Sequence, residues 1–165
     1  MADFFAPLFD LEAAVAWREA AGVAGLRVVF TNGVFDVLHA GHVEYLAWAR
    51  AQGDALILGL NTDDSVRRLK GEKRPIVPFA ERARVLCALR SIDAVVGFGE
   101  NTPELLLERI RPDVHVKSAQ YREEELPERD IVQAHGGTIR LAPHVEGTST
   151  TDTIARIIAR YAPDA

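Results

Sequence analysis

Three features of the chain predict an α/β fold, a doubly wound parallel sheet of five strands in one domain. Short apolar runs (Leu26–Phe30, Ala55–Leu60, Ala94–Gly97, Val114–Val116 and Thr138–Leu141) alternate with amphipathic helical patterns. Several runs are apolar throughout, as strands covered on both faces must be. The length of 165 residues suits one domain with a real core better than two, and no repeat, low-complexity tract or linker divides it. Residues 1–165 are therefore read as a single unit, with 1–22 as an N-terminal helix packing on it.

In order, Asp10 is a candidate N-cap for a helix over 10–21, whose apolar positions are Leu11, Ala14, Val15 and Ala21. Strand one leads into a turn and a helix over about 40–51, which Gly53-Asp54 ends before strand two. Helical patterns follow at 62–69 and 79–90, around a loop from Lys70 to Pro78. After strand three, Pro103 starts a helix through about Ile110. Strand four precedes a polar, partly helical stretch over 123–135, and strand five precedes a helix opened by Thr150 or Thr151 with Ile154, Ile157 and Ile158 on one face.

A net charge of −5 argues against a nucleic-acid surface, and no run is long enough to span a membrane. Asp3 stands where a secretory leader would be basic, so a cytoplasmic location is expected. The single cysteine, Cys87, excludes an internal disulfide and reads as a small core residue. Only three lysines (Lys70, Lys73, Lys117) accompany sixteen arginines.

The chemistry concentrates at the end of strand one. Thr31-Asn32-Gly33-Val34-Phe35-Asp36 is followed by His39-Ala40-Gly41-His42, two imidazoles three residues apart in a first helical turn. There the free N–H groups and the helix dipole favour an anion, and Gly33 and Gly41 are expected to let backbone approach it. A plainer reading makes the histidines caps or surface residues. Ser149-Thr150-Thr151 before the last helix offers a second anion site, which ordinary capping by Thr150 or Thr151 does not exclude. Asp36 reads as a turn-fixing residue more than a metal ligand. Asn61 and Asp63 close strand two at the crevice, where turn chemistry also explains them. His115 is expected to face the core and His135 to end a helix; neither is given a role.

The run from Thr31 to His42, containing His-x-Gly-His, resembles the signature of the cytidylyltransferase-like nucleotidyltransferases, with a Rossmann-like fold. More narrowly, the chain is similar to the adenylyltransferase domain of bacterial heptose-phosphate kinase/adenylyltransferases. Further pieces carry this likeness: Gly59-Leu60-Asn61-Thr62-Asp63, Ser65 to Gly71, Arg74-Pro75, Glu81-Arg82, Asn101-Thr102-Pro103, Pro112-Asp113 and Glu146 to Thr151. The resemblance implies transfer of AMP from ATP to a sugar phosphate, D-glycero-β-D-manno-heptose 1-phosphate, with release of pyrophosphate. It assigns catalysis to His39, His42 and Lys70. It assigns the nucleotide to Thr31, Asn32, Gly33, Val34, Phe35 and Gly41, and to Arg82, Lys117, Thr148, Ser149, Thr150 and Thr151. Asp36, Asn61, Asp63 and Tyr121 fall to the second substrate.

Charge at a helix end also explains Lys70 and its neighbours Arg67, Arg68 and Lys73, and an ion pair with Glu81 also explains Arg82. Mg2+ is implied as part of the ATP substrate, with no protein ligand set for a metal. A homodimer and a separate upstream sugar kinase are implied as well. The sequence departs from the family pattern in one place: Lys117-Ser118-Ala119-Gln120-Tyr121 replaces Lys-Gly-Gly-Asp-Tyr, which bears on the choice of sugar. Two alternatives remain, a cytidylyltransferase acting on glycerol 3-phosphate or another polyol phosphate, and a non-catalytic nucleotide-binding module. His144, where polyol-phosphate cytidylyltransferases often place arginine, tilts the first choice toward ATP.

Overall fold

The computed structural model describes residues 4–145 and 147–162, so Glu146 of the final motif lies outside the described residues. Six parallel strands form one sheet: β1 (Leu8–Phe9), β2 (Val28–Gly33), β3 (Ala55–Asn61), β4 (Ala94–Phe98), β5 (Val114–Ser118) and β6 (Thr138–Ala142), in the spatial order β1-β4-β3-β2-β5-β6. Five strands were expected. The sixth, β1, is two residues long, too short to leave a period-2 signature, and takes its partners from β4 (Leu8 against Val95, Phe9 against Val96).

Alternating side chains divide the core between the two faces. Val29, Leu56, Leu58, Leu60, Val95 and Val116 point to one face, against α2 (Ala40–Arg50) and α4 (Phe79–Cys87). Val28, Phe30, Ile57, Ala94 and Val96 point to the other, under α1 (Leu11–Val23), α5 (Glu104–Ile110) and α6 (Arg129–Ala134). Two helices remain, α3 (Asp63–Lys70) and α7 (Thr150–Tyr161). Asp10 caps α1 by accepting from Ala13 N at 2.8 Å. Ser149, not Thr150 or Thr151, caps α7, because its hydroxyl is the one that reaches Asp152 N (2.9 Å).

Aspartates at the strand starts pin the register. Asp113 accepts from Val28 N at 2.7 Å, Asp54 from Arg27 N and Asp93 from Leu56 N, each at 2.8 Å. Cys87 is buried, and burial pushes its thiol up, away from thiolate chemistry. Strand order reverses at β2, which pairs with β3 on one side and β5 on the other. A crevice therefore opens beyond the carboxyl end of β2.

His115 sits fully buried on β5 with its ring 5.6 Å from that of Phe30. Burial first, and the Lys117 charge second, push its pKa down to about 3. The unfolded chain, with a histidine near 6.5, binds the extra proton through the window from about 6.5 to about 3. Stability from this group is complete above that window and is lost as pH falls through it, by about 3–5 kcal/mol at the acid end. Urea unfolding of the wild type and His115→Leu between pH 7 and 4 is expected to show a shallower acid loss in the variant; parallel curves would refute this account.

Candidate active site

β2 runs into a turn that few side chains tolerate. Phe35 and Val37 both hold positive φ, 46° and 52°, which costs a β-branched residue on the order of 1–2 kcal/mol. Asp36, between them, holds the turn in place. It is 1% exposed, and its carboxylate accepts from Ile76 N and Val77 N, each at 2.8 Å, and from Arg74 Nε. The Thr150 hydroxyl donates to its carbonyl at 2.9 Å. Burial alone would raise this carboxyl; the two N–H groups and the Arg74 guanidinium outweigh it and hold the pKa below the ordinary value. Asp36 was expected to touch the second substrate. It lines the cleft, and its carboxylate accepts three hydrogen bonds from within the protein that tie the turn to the loop after α3.

Past the turn, His39 is the N-cap of α2 and makes no side-chain cap bond, and no acidic residue stands in the first turn. The rings of His39 and His42 stack with centroids 3.7 Å apart and planes 22° from parallel, and His42 also packs on Phe35 at 5.2 Å. Burial pushes His39 down. Burial first, then the neighbouring His39, push His42 down to about 4. Both rings are thus uncharged at neutral pH. Each Nδ1 is buried with no partner among the described residues, so the imidazoles hold unused hydrogen-bonding capacity.

Both histidines line a cleft of about 820 Å³, with Asn32, Gly33, Val34, Phe35 and Gly41. One wall follows β3 and β4, with Asn61, Lys70 at the end of α3, and Asn101 to Pro103. The opposite wall follows β5 and β6, with Lys117, Tyr121 and Glu128, then His144 and Thr148 to Thr151. Its size falls in the upper range for small-molecule sites.

Several other expected contacts are engaged by protein groups. Arg82, with a side chain 1% exposed, donates to Val77 O (2.9 Å), Val34 O (2.6 Å) and Asp63 Oδ1 (2.7 Å). Each of its three guanidinium nitrogens bonds to protein, so Arg82 and Asp63 brace the turn from behind and neither lines the cleft. Thr31 is buried, and its hydroxyl lies 2.6 Å from that of Tyr45 and 2.9 Å from Val116 O. Arg67 pairs with Asp64, and Arg68 holds Gly99 O and Asn101 at the rim. Ser149 is occupied by Asp152, Thr150 by Asp36 and Thr148 by Val145 O at 3.2 Å. What the candidate second anion site has to offer is thus the backbone at the start of α7 and the Thr151 hydroxyl.

The glycines also serve a different purpose. A Cβ on Gly41 would stand 2.1 Å from Thr148 Oγ1, and one on Gly33 would stand 2.8 Å from the Phe35 ring. They admit protein neighbours: Gly33 the Phe35 ring, and Gly41 the Thr148 side chain from the loop before α7.

Two site residues were given no role from the sequence. Arg74 is the counter-charge of Asp36, a partner that a buried aspartate requires but whose identity no spacing reveals. Glu128 lies in an acid-rich stretch that reads as solvated, yet it is 3% exposed and takes Lys117 Nζ at 3.0 Å.

A model of the cytidylyltransferase-like family matches residues 30–156. The bifunctional protein HldE of Geobacter metallireducens is 48% identical over 159 residues, covering 96% of this chain and 32% of that protein. HldE of Geobacter sulfurreducens is 53% identical over 137 residues, 83% of this chain and 28% of that one. The chain thus spans about a third of the length of these curated relatives. Among solved structures, the lipopolysaccharide core biosynthesis protein of Thermoplasma volcanium GSS1 superposes with a TM-score of 0.62 at 25% identity, over 75% of this chain and all of that one. Pantoate–beta-alanine ligase of Francisella tularensis, at 13% identity, shares the fold with a TM-score of 0.59 over 97% of this chain and 80% of its own.

Replacing Asp36 by Asn leaves Arg74 without its counter-charge in a mostly buried setting and is expected to lower stability by about 2–4 kcal/mol in chemical denaturation. A change under about 0.5 kcal/mol would remove Asp36 from its place as the turn's anchor. Gly41→Ala is expected to fold but to displace Thr148, weakening binding of inorganic triphosphate in calorimetry by about tenfold or more. Unchanged affinity would show that Thr148 does not need to sit so close.

Proposed function

Because the chain belongs to the cytidylyltransferase-like family, we propose that it is an adenylyltransferase that joins the AMP moiety of Mg–ATP to a sugar phosphate, D-glycero-β-D-manno-heptose 1-phosphate. The observation that carries this reading is the stacked, uncharged His39–His42 pair at the start of α2, lining a cleft large enough for two substrates. The identity to HldE proteins and the likeness to heptose-phosphate adenylyltransferase domains support the choice of nucleotide and sugar. As part of this reading, we take the reaction to run in the cytoplasm, in a homodimer, on a sugar that already carries its phosphate.

An oxygen of the sugar phosphate attacks the α-phosphorus of ATP. The Pα–O bond to the β-phosphate breaks, and pyrophosphate leaves with the bonding pair. The attacking oxygen is already ionised, so no general base is needed and catalysis rests on position and charge. The imidazoles donate to the triphosphate, Lys70 comes from the β3 wall, and the starts of α2 and α7 present N–H groups. Mg2+ enters on the triphosphate. Among the described residues no group of three or more His, Cys, Asp or Glu is placed to hold a metal. Among them, too, no helix is long and apolar enough to cross a membrane.

Pyrophosphate release is expected with ATP and heptose 1-phosphate and not with glycerol or ribitol phosphates. Preference for CTP with a polyol phosphate would replace this reading by the cytidylyltransferase one, and nucleotide binding without turnover on any acceptor would leave a binding module. His39→Ala and His42→Ala are each expected to lower kcat on the order of 10²-fold or more with the fold intact by circular dichroism; wild-type turnover in either would contradict the assignment.

A triphosphate beside His42 favours the charged ring, so binding at pH 5–6 is expected to take up protons. Two imidazolium ions stacked this closely repel, and the pair gains at most about one proton. Calorimetry of ATP binding in buffers of different ionisation enthalpy reads this uptake, and its absence in the wild type would contradict the electrostatic role.

A further inference from the structure

Glu128 holds an unanswered hydrogen-bonding group in the cleft wall. The residue precedes α6 and is 3% exposed. Its Oε1 accepts from Lys117 Nζ at 3.0 Å, while Oε2 is buried with no partner among the described residues. Buried carboxylate oxygens rarely stay bare, and an ionised carboxylate can only accept, so the missing partner is a donor. A phosphate is excluded by charge.

The surroundings narrow the donor further. Lys117 Nζ lies 5.2 Å from the centre of the Tyr121 ring and 3.5 Å from Asn32 Oδ1 of the histidine turn. The Lys117–Glu128 pair therefore spans the distance between a half-exposed aromatic face, suited to a base, and the turn that faces the phosphates. What joins a base to its phosphates is a ribose, and its hydroxyls are donors. Lys117 neutralises the carboxylate, so the pair does not repel the triphosphate. We propose that Glu128 is a specificity-determining residue whose Oε2 accepts a ribose hydroxyl of the bound nucleotide. The inference rests on the adenylyltransferase reading for the identity of that nucleotide.

The test is calorimetric binding of ATP, 2′-deoxy-ATP and 3′-deoxy-ATP to the wild type, Glu128→Gln and Glu128→Asp. The wild type is expected to bind at least one deoxynucleotide about 10- to 100-fold more weakly than ATP, the range for a hydrogen bond to a charged group. In Glu128→Gln that ratio is expected to fall below about threefold, because ATP loses affinity while the deoxynucleotide does not. A purely structural Glu128 would weaken all three nucleotides alike and leave the ratio unchanged, which overturns the proposal. Equal affinity of the wild type for all three overturns it as well. Should Glu128→Gln fail to fold, Glu128→Asp, which keeps the charge but draws it back, is read for the same ratio. Should neither fold, the wild-type ratio decides alone. ATP binding with ribose preference but no pyrophosphate release defeats the transferase reading and leaves this one standing; no nucleotide binding defeats both.

Discussion

Much of the site depends on one buried carboxylate. Asp36 sits between two residues in the left-handed region, and its bonds to Ile76, Val77 and Arg74 offset the cost of that backbone. The same residue fixes three segments at once: the histidine turn, the loop after Lys70 and, through Thr150, the start of α7. Backbone strain is stored where the chain must leave β2 and aim an imidazole pair into the crevice. Arg82 supports the same turn from behind through Val34 O and Asp63.

Among the described residues, few free cations face the cleft. Arg74, Arg82 and Lys117 all face carboxylates, and the two histidines are held neutral by burial. Among the described residues, what the cleft would offer the proposed triphosphate is Lys70, two helix starts and imidazole N–H groups. Oriented dipoles of this kind need no reorganisation when charge develops on the substrate, whereas loose surface cations would. The arrangement also suits a chain with a net charge of −5, since attraction is confined to the cleft.

The sequence alone determined the alternation of strands and helices, the core faces and the place of the histidine turn. Each of these rests on local periodicity or on residues close in the chain: the all-apolar run of Ala55–Leu60, Asp10 three residues before the N–H it caps, and His39 three residues before His42. Tertiary structure alone decided how the charged and hydroxyl groups are divided between protein and cleft. Arg82 and Lys70 look alike as cations near a motif, yet one is sealed against Val34, Val77 and Asp63 while the other lines the crevice. Gly41 looks like an anion-approach glycine until Thr148, over a hundred residues away, is seen above it. The two-residue β1 and the buried Glu128 escaped for the same reason. A strand that short is defined by its neighbour, and a carboxylate is buried or solvated according to what folds over it. Periodicity reports which face a residue takes, whereas its partner is set by contacts that close only when distant segments meet.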